Sequence, residues 1–244
     1  MPDEVRKFEG IRWVWFDLDD TLIDFHANSR AANRITFEEC GLDRYCKDVE
    51  TWIRNYETHN RSLWDRYGLG QISQDFLRVD RFATPLRQEW DGDAESLEKF
   101  SWELDRIYLA HLAEQTAMVD GAKELLSFLR AHGYNIGVLS NGFKDVQHHK
   151  LANTGLDTMV DLTVLSDDIG INKPDPRLYI HAMERSGDCN KEHHMMIGDN
   201  LLTDIAGAIG AGWHAVHFDP TAEGLREEKG MTVTPRLKLL EGLF

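Results

Sequence analysis

The chain has 244 residues, which suits one sizeable domain or a core domain that carries a smaller second one. Hydrophobic residues make up 42% and charged residues 28%, the usual balance of a globular protein. The formal net charge of −15 repels nucleic-acid backbones, which argues against a nucleic-acid polymer as a partner.

No apolar run approaches the ~20 residues that cross a bilayer, so no membrane partner is expected. The N-terminal segment MPDEVRKFEG lacks the apolar stretch of a secretory signal, which predicts a cytoplasmic location. Cys40, Cys46 and Cys189 fit no metal-binding spacing and are expected to be reduced thiols, with a Cys40–Cys46 pair as the alternative.

The first predicted element is a buried strand at Ile11–Phe16, an apolar run rich in β-forming residues. The following segment, about residues 25–116, is predicted to be helical and to form an inserted cap domain. Its amphipathic stretches are Asn28–Cys40, Val49–Tyr67, Ser73–Phe82 and Ala94–Leu112. Aromatic residues recur in this segment, and most are expected to form the core of the cap itself.

The rest of the chain alternates between helices and strands. The predicted strands are Tyr134–Leu139, Val160–Leu165, His194–Ile197 and Trp213–Phe218. The predicted helices are Gly121–Ala131, Lys144–Asn153, one that begins near Asp175-Pro176, and Thr203–Ile209. This alternation predicts an α/β fold with a Rossmann-like parallel sheet, in a core domain formed by residues 1–24 and 117–244.

Polar clusters follow four of these elements, where an open parallel sheet binds its ligands. The first is DLDDT, Asp17–Thr21. Two carboxylates two residues apart, directly beyond a buried strand, are costly unless a cation compensates them. One could attack phosphorus and the other could act as acid and base, whereas a turn with local side-chain hydrogen bonds is the alternative.

The second and third clusters could bind an anion. Ser140-Asn141-Gly142 offers a hydroxyl and backbone amides for phosphoryl oxygens, although an ordinary turn explains the same residues. Lys173-Pro174 offers a lysine that could neutralise phosphate, although most lysines lie on the surface.

The fourth cluster is Gly198-Asp199, followed by Asp204. Proteins typically hold Mg²⁺ with one or two carboxylates together with substrate phosphate, so Asp199 could supply a ligand. Asp204 could hold Lys173 or a metal-bound water, and an acid favoured at a helix N-terminus is the alternative. Glycine just before Asp199 allows close backbone approach, which favours a site. Together, the four clusters suit one chemistry.

With these motifs in this order, the sequence resembles the hydrolases of the haloacid dehalogenase superfamily. The matching motifs are DLDDT, SNG, KP and GDNLLTD. The helical insert is similar to that family's cap of the first type. The resemblance implies a Rossmann-like core with a helical cap over the strand ends.

The resemblance also implies roles for individual residues. Asp17 would be the nucleophile and a Mg²⁺ ligand, and Asp199 would be a second ligand. Asp19 would be the general acid and base and would give its backbone carbonyl to the metal. Lys173 would take part in catalysis by holding the phosphoryl group.

Phosphate binding is further implied for Ser140, Asn141 and Gly142, and supporting roles for Thr21 and Asp204. Asp19 separates two branches of the superfamily. Dehalogenases release halide and need no acid at that position, whereas a phosphatase must protonate an ester oxygen. The predicted activity is therefore hydrolysis of a small-molecule phosphate ester, by a monomer or a homodimer.

The likeness extends to bacterial pyrimidine 5′-nucleotidases through DLDDTLIDF, SNGF and the stretch from Asn60 to Ser73. This predicts a nucleoside 5′-monophosphate substrate, whose base or sugar could face Trp64 or Phe25. A sugar-phosphate phosphatase, a phosphomutase and a 2-haloacid dehalogenase remain alternatives within the superfamily. A catalytically silent protein-binding module is the alternative from another class. The histidine pairs His148-His149 and His193-His194 are expected to be solvated or packed, because metal ligands need converging partners.

Overall fold

The computed structural model describes residues 5–244. Residues 1–4, which are part of the predicted core domain, lie outside the described residues. The chain divides into two compact units. The sheet unit comprises the described residues up to Phe25 together with Thr116–Phe244, and the helical unit comprises His26–Gln115.

The sheet has seven strands within the described residues. They are β1 (Trp13–Phe16), β2 (Asn135–Ser140), β3 (Leu162–Leu165), β4 (His194–Gly198), β5 (His214–Phe218), β6 (Arg226–Glu228) and β7 (Met231–Thr234). Their order is β3-β2-β1-β4-β5-β7-β6, and all neighbours are parallel except β6 and β7. The predicted α/β class with a parallel sheet is confirmed.

Strand β1 lies between β2 and β4. Its last residue, Phe16, is in register with Val138 of β2 and with Ile197 of β4. Because the three strands are parallel, the residues that follow them lie along one edge of the sheet. This edge carries the first, second and fourth polar clusters.

The helical unit, all of whose residues are described, is built on four helices. They are α1 (Phe25–Glu39), α2 (Val49–Gly68), α3 (Gln74–Leu86) and α4 (Ala94–Ala113). The side chains of Asp48, Ser73 and Asp93 accept hydrogen bonds from backbone amides in the first turns of α2, α3 and α4. Such caps satisfy amides that have no partner within the helix, which explains where these helices begin.

The core of the helical unit is aromatic and also contains an ion pair. Trp52, Tyr56, Phe82 and Tyr108 are fully buried and contact one another through their rings. Arg81 of α3 forms a buried ion pair with Asp105 of α4, and Arg78 binds the same carboxylate at 2.8 Å. These buried rings therefore fill the unit's own core, as expected for most of its aromatic residues.

Four further helices cover both faces of the sheet. They are α5 (Ala122–Ala131), α6 (Lys144–Thr154), α7 (Pro176–Ser186) and α8 (Gly207–Ala211). Val14 and Phe16 of β1 belong to the core cluster that contains residues of α5 and α6. Trp13 and Trp15 belong to the cluster with residues of α7 and α8. A parallel strand covered on both faces has no polar side, which explains the unbroken apolar sequence of β1.

The chain differs from the prediction near Thr203–Ile209, where a single helix was expected. A π-helical turn at Leu201–Ala206 instead precedes the short helix α8. The Tyr179 hydroxyl donates a hydrogen bond to the Thr203 carbonyl (2.6 Å) and lies 3.2 Å from the Asp204 carbonyl. A side chain that takes carbonyls from the helical pattern, together with glycines in α8, accounts for the irregular turn.

The sequence patterns did not predict the hairpin of β6 and β7. The three residues of β6, Arg226–Glu228, are all charged, so they carry none of the apolar signal used to find strands. In the described part of the chain, no helix is both long and apolar enough to span a membrane. The three cysteines are free thiols.

Candidate active site

The carboxyl edge of β1, β2 and β4 gathers three of the predicted motifs. Asp17 follows β1 directly, and its amide donates a hydrogen bond to the Ile197 carbonyl at 2.9 Å. Asp199 follows β4, and Ser140 is the last residue of β2. The strand order therefore brings Asp17 together with residues that follow it by more than one hundred positions in the sequence.

Lys173, from the third motif, lies within this group. Its ammonium donates hydrogen bonds to Asp17 Oδ1 (2.6 Å), Asp204 Oδ1 (2.7 Å) and the Leu139 carbonyl (2.7 Å). Burial alone disfavours the charged ammonium, but Asp17 and Asp204 outweigh it and raise the pKa of Lys173 above its ordinary value of 10.5. The lysine is a fixed positive charge between two carboxylates.

Asp17, Asp199 and Asp204 form an acidic cluster whose nearest carboxylate oxygens lie within 4.8 Å of one another. Burial raises the pKa of Asp17 to about 7, with Lys173 opposing the shift and Asp204 adding to it. Burial, followed by the charges of Asp17 and Asp204, raises the pKa of Asp199 to about 8. Three carboxylates around one ammonium leave surplus negative charge in a buried place.

This donor set fits a hard divalent cation. All three acids offer oxygen, the ligand atom that Mg²⁺ prefers. Asp204 already accepts hydrogen bonds from Lys173 and from the Asn200 amide (3.0 Å). Asp17 and Asp199 are therefore the carboxylates best suited to hold a metal. A cation would offset the burial and the repulsion that raise their pKa values.

Gly198 has a steric role beside this cluster. A Cβ at this position would lie 2.3 Å from the Asp204 carboxylate, which is too close for any real contact. The glycine before Asp199 therefore leaves room for the Asp204 side chain. The glycine was predicted to allow close approach of the backbone, and the group that approaches it is the Asp204 carboxylate.

Asp19 has partners of its own. Its Oδ1 accepts a hydrogen bond from Lys150 Nζ (2.6 Å), and its Oδ2 accepts one from Gln147 Nε2 (2.9 Å). Both donors come from α6 and are buried, whereas 26% of the Asp19 side chain is exposed. The carboxylate is thus fixed by protein donors on one side and open to solvent on the other.

The SNG motif mostly contacts other parts of the site. Ser140 Oγ accepts hydrogen bonds from Gln147 Nε2 (2.8 Å) and from the Gly142 amide (3.2 Å). The Asn141 side chain donates to the Lys173 carbonyl (3.0 Å) and accepts from the Lys173 amide (2.7 Å). Asn141 therefore anchors the backbone of Lys173, and phosphate binding by these three residues stays a prediction.

The remaining predicted residues are distributed as follows. Thr21 is buried, and its hydroxyl lies 3.5 Å from Asp199 Oδ1, the outer limit of a hydrogen bond. Phe25 is half-buried, and the Lys150 ammonium lies 5.1 Å from the centre of its ring. Trp64 belongs to the helical unit, where its ring meets Tyr67 edge-on.

The histidine pairs provide no metal site among the described residues. His148 and His149 are exposed on α6. His194 is buried and hydrogen-bonded to the Trp15 indole. These positions agree with the expectation that the histidines are solvated or packed.

Sequence reasoning missed Gln147 and Lys150. Both residues lie on α6 three positions apart, so they share one face of the helix. One feature of the sequence could have indicated that they are buried: these two long polar residues lie on the same side of the helix as the buried Leu151. Without the strand order, nothing in the sequence connects that face to Asp19.

Residues 11–212 match the family model of the haloacid dehalogenase-like hydrolases. This match covers β1 to β4, four of the six parallel strands described above, and every motif at the carboxyl edge. The class is therefore that of a hydrolase. The chain belongs to the haloacid dehalogenase-like hydrolase family.

Two relatives illustrate the range of names among similar proteins. The chain is 30% identical to the pyrimidine 5′-nucleotidase YjjG of Escherichia coli over 222 residues, covering 87% of this chain and 90% of that protein. It is 39% identical to a glyceraldehyde 3-phosphate phosphatase of Methanothermobacter thermautotrophicus over 209 residues, covering 84% of each.

Among solved structures, the chain resembles the HAD-hydrolase YfnB of Bacillus subtilis. The TM-score is 0.82 at 26% sequence identity, and the match covers 98% of both chains. That crystal structure was determined with magnesium bound.

Proposed function

We propose that the protein is a Mg²⁺-dependent phosphomonoester hydrolase that passes through an aspartyl-phosphate on Asp17. The observation that carries this proposal is the buried Lys173 ammonium between Asp17 and Asp204, with Asp199 in the same acidic cluster. The site thereby combines three parts that this reaction needs: a carboxylate nucleophile, a fixed cation for phosphoryl oxygens and a pair of acids that could bind a metal.

In the first step, a carboxylate oxygen of Asp17 attacks phosphorus and the bond to the ester oxygen breaks. Asp19 gives its proton to the departing oxygen, so the alcohol leaves neutral and the phosphoryl group stays on Asp17. Lys173 holds phosphoryl oxygens through its positive charge. Its hydrogen bond to Asp17 also keeps the nucleophile oriented.

In the second step, Asp19 takes a proton from water as the water attacks the phosphorus of the aspartyl-phosphate. The bond between phosphorus and the Asp17 oxygen breaks, and inorganic phosphate leaves. Asp17 returns as a carboxylate and Asp19 as an acid, so the cycle is balanced. The need for this proton transfer favours phosphate esters over haloacids, because halide leaves without a proton.

Asp17, Asp199 and the backbone carbonyl of Asp19 would hold Mg²⁺. The metal would neutralise phosphoryl charge as a Lewis acid. The solved magnesium complex of YfnB supports this assignment by similarity. Loss of activity on chelation, with recovery on adding Mg²⁺, is the expected result.

For the substrate, we propose nucleoside 5′-monophosphates. One support is the likeness to YjjG, which extends over 90% of that protein. The other is the resemblance of this chain's DLDDTLIDF and SNGF stretches to bacterial pyrimidine 5′-nucleotidases. The relative named as a glyceraldehyde 3-phosphate phosphatase makes a sugar phosphate the second candidate. A cytoplasmic location and a monomeric or homodimeric state stay predictions.

A substrate panel tests this function. Inorganic phosphate release is measured from pyrimidine and purine nucleoside monophosphates, glyceraldehyde 3-phosphate and other sugar phosphates, with halide release from a 2-haloacid in parallel. The highest kcat/KM is expected for a nucleoside monophosphate. A higher value for a sugar phosphate would reassign the substrate. Halide release, transfer of phosphate within a sugar, or no turnover with Mg²⁺ present would each contradict the proposal.

A further inference from the structure

Helix α6 carries two buried polar side chains that the reaction described above does not use. Lysine is rarely buried unless it is paired, yet only 3% of the Lys150 side chain is exposed. Its ammonium lies 2.6 Å from Asp19 Oδ1 and 5.1 Å from the centre of the Phe25 ring. An ion pair and an aromatic face both favour a cation at this point.

Gln147 holds the other oxygen of the same carboxylate. Its Nε2 donates to Asp19 Oδ2 (2.9 Å) and to Ser140 Oγ (2.8 Å). Gly142 permits this position, because a Cβ there would lie 2.1 Å from Gln147 Nε2. The third residue of the SNG motif therefore leaves room for the amide that reaches Asp19.

Two different donors on two different oxygens fix the rotation of a carboxylate. A single donor would leave the group free to turn about its last bond, whereas Lys150 and Gln147 together define its plane. The two buried lysines of the site also serve different acids. Lys173 lies between Asp17 and Asp204, and Lys150 binds Asp19.

We propose that Lys150 and Gln147 are positioning residues that orient the Asp19 carboxyl group, which in its protonated form gives its proton to the leaving-group oxygen. The inference rests on the proposed phosphatase function and deepens it, because it names the residues on which the acid depends. Neither residue needs to touch the substrate. Their effect must therefore increase with the need of the leaving group for a proton.

Two aryl esters of similar shape measure that need. Para-nitrophenolate leaves readily without a proton, whereas phenolate is a poorer leaving group and gains more from an acid. The value of kcat/KM reports the step in which the ester bond breaks. We expect Lys150→Met to lower kcat/KM for phenyl phosphate at least about tenfold more than for para-nitrophenyl phosphate. This difference is a part of the roughly 10²–10⁴-fold gain in rate that a positioned acid usually gives.

Three further variants separate positioning from a purely structural effect. Lys150→Arg keeps the charge and a donor, and it is expected to restore most activity towards phenyl phosphate. Gln147→Leu should show the same dependence on the leaving group in weaker form. Lys144→Met is the matched control, since Lys144 lies on the same helix and pairs with Asp168 at the surface (2.7 Å); it should behave as wild type.

A double-mutant cycle gives the deciding measurement. If Lys150 acts through Asp19, then Lys150→Met should cause no further loss in an Asp19→Ala enzyme. Equal losses of kcat/KM on both esters would overturn the inference, and so would an undiminished loss from Lys150→Met in the Asp19→Ala enzyme. The proposed phosphatase function would survive either result as long as the wild-type enzyme turns over. A wild-type enzyme that hydrolyses neither ester nor any member of the substrate panel would overturn both. Thermal melting of each variant verifies that the loss is not unfolding.

Discussion

Each unit of the molecule contains a buried ionic cluster, and the two clusters differ in how well their charges are compensated. In the helical unit, burial disfavours charged Arg81, but Tyr56 and Asp105 outweigh it and raise the pKa of Arg81. In the sheet unit, burial and neighbouring acids raise the pKa of Asp17 and Asp199, which disfavours their charged forms. The charges of the first cluster are compensated within the protein, whereas the second cluster carries surplus negative charge that a further cation would balance.

Burial of charge is therefore not by itself a mark of function. The pair of Arg81 and Asp105 is as deeply buried as the pair of Lys173 and Asp204. However, Arg81 and Asp105 neutralise each other, and Arg81 also lies against aromatic rings. What distinguishes the site is surplus charge of one sign beside a solvent-accessible acid, Asp19. Three variants test this difference, and a fourth tests a buried polar group outside both clusters.

The largest effect is expected from Asp17→Asn. An amide cannot attack phosphorus, so kcat should fall by about 10⁴-fold or more, as for other lost nucleophiles. Folding should be nearly unaffected, because the amide has the same size, loses a charge that burial disfavours, and leaves Lys173 paired with Asp204. Phosphate release and circular dichroism measure the two properties. Asp20→Asn is the matched control, since it replaces an aspartate by asparagine three residues away. Substantial turnover by Asp17→Asn would show that Asp17 is not the nucleophile.

The next effect is on stability and lies in the helical unit. Asp105→Asn leaves Arg81 buried without its carboxylate, which should lower the free energy of unfolding by about 3–5 kcal/mol. Chemical denaturation followed by circular dichroism measures the loss. Glu95→Gln is the control on the same helix, because the Glu95–Lys99 pair is exposed and should contribute little. Equal stability of the two variants would show that the Arg81–Asp105 pair is not structural.

A smaller effect, on metal binding, is expected from Asp199→Asn. Removing one of two carboxylate ligands should weaken Mg²⁺ binding by more than about 100-fold, which titration calorimetry measures. Without Mg²⁺, the variant should be at least as stable as wild type, because a buried neutral amide is less unfavourable than a buried, repelled carboxylate. Unchanged affinity for Mg²⁺ would exclude Asp199 as a ligand.

The smallest effect concerns pH and a third buried polar group, His194. The Trp15 indole donates to His194 Nδ1 (3.0 Å), and Nε2 lies 2.7 Å from the Asp188 carbonyl, which requires the neutral ring with hydrogen on Nε2. Burial lowers the pKa of His194 below its ordinary 6.5, although the Asp188 carbonyl and carboxylate oppose the shift.

The unfolded chain therefore takes up this proton at a higher pH than the folded protein does. The free energy of unfolding should decrease as the pH falls below about 6.5 and level off below the folded-state pKa. Denaturation at several pH values measures this dependence. The part due to His194 should be missing in His194→Gln, and identical profiles for the two proteins would contradict the assignment.

The sheet was predictable to the extent that its strands are apolar. All five strands predicted from apolar runs are present, because a parallel strand covered on both faces needs such a run. The hairpin of β6 and β7 escaped detection because its edge strand is entirely charged. The turn at Leu201–Ala206 depends on the distant Tyr179 hydroxyl, a contact that periodicity does not report.

The candidate site was predictable for those residues whose position follows from the order of strands along the chain. Asp17, Ser140 and Asp199 follow parallel strands, so their proximity follows from the sheet alone. Lys150 was not predictable, because its contact with Asp19 joins residues 131 positions apart through the packing of α6. The steric roles of Gly142 and Gly198 likewise depend on which side chain fills the space beside them.

The central place of β1 has a consequence for biosynthesis. Asp17 is translated about 180 residues before β4 and Asp204, which complete its surroundings. A nascent chain shorter than that has the attacking carboxylate without the partner strand or the acid that shares Lys173. Catalytic competence is therefore expected only after β4 and Asp204 have been made, and a nascent chain that lacks them is not expected to consume phosphate esters.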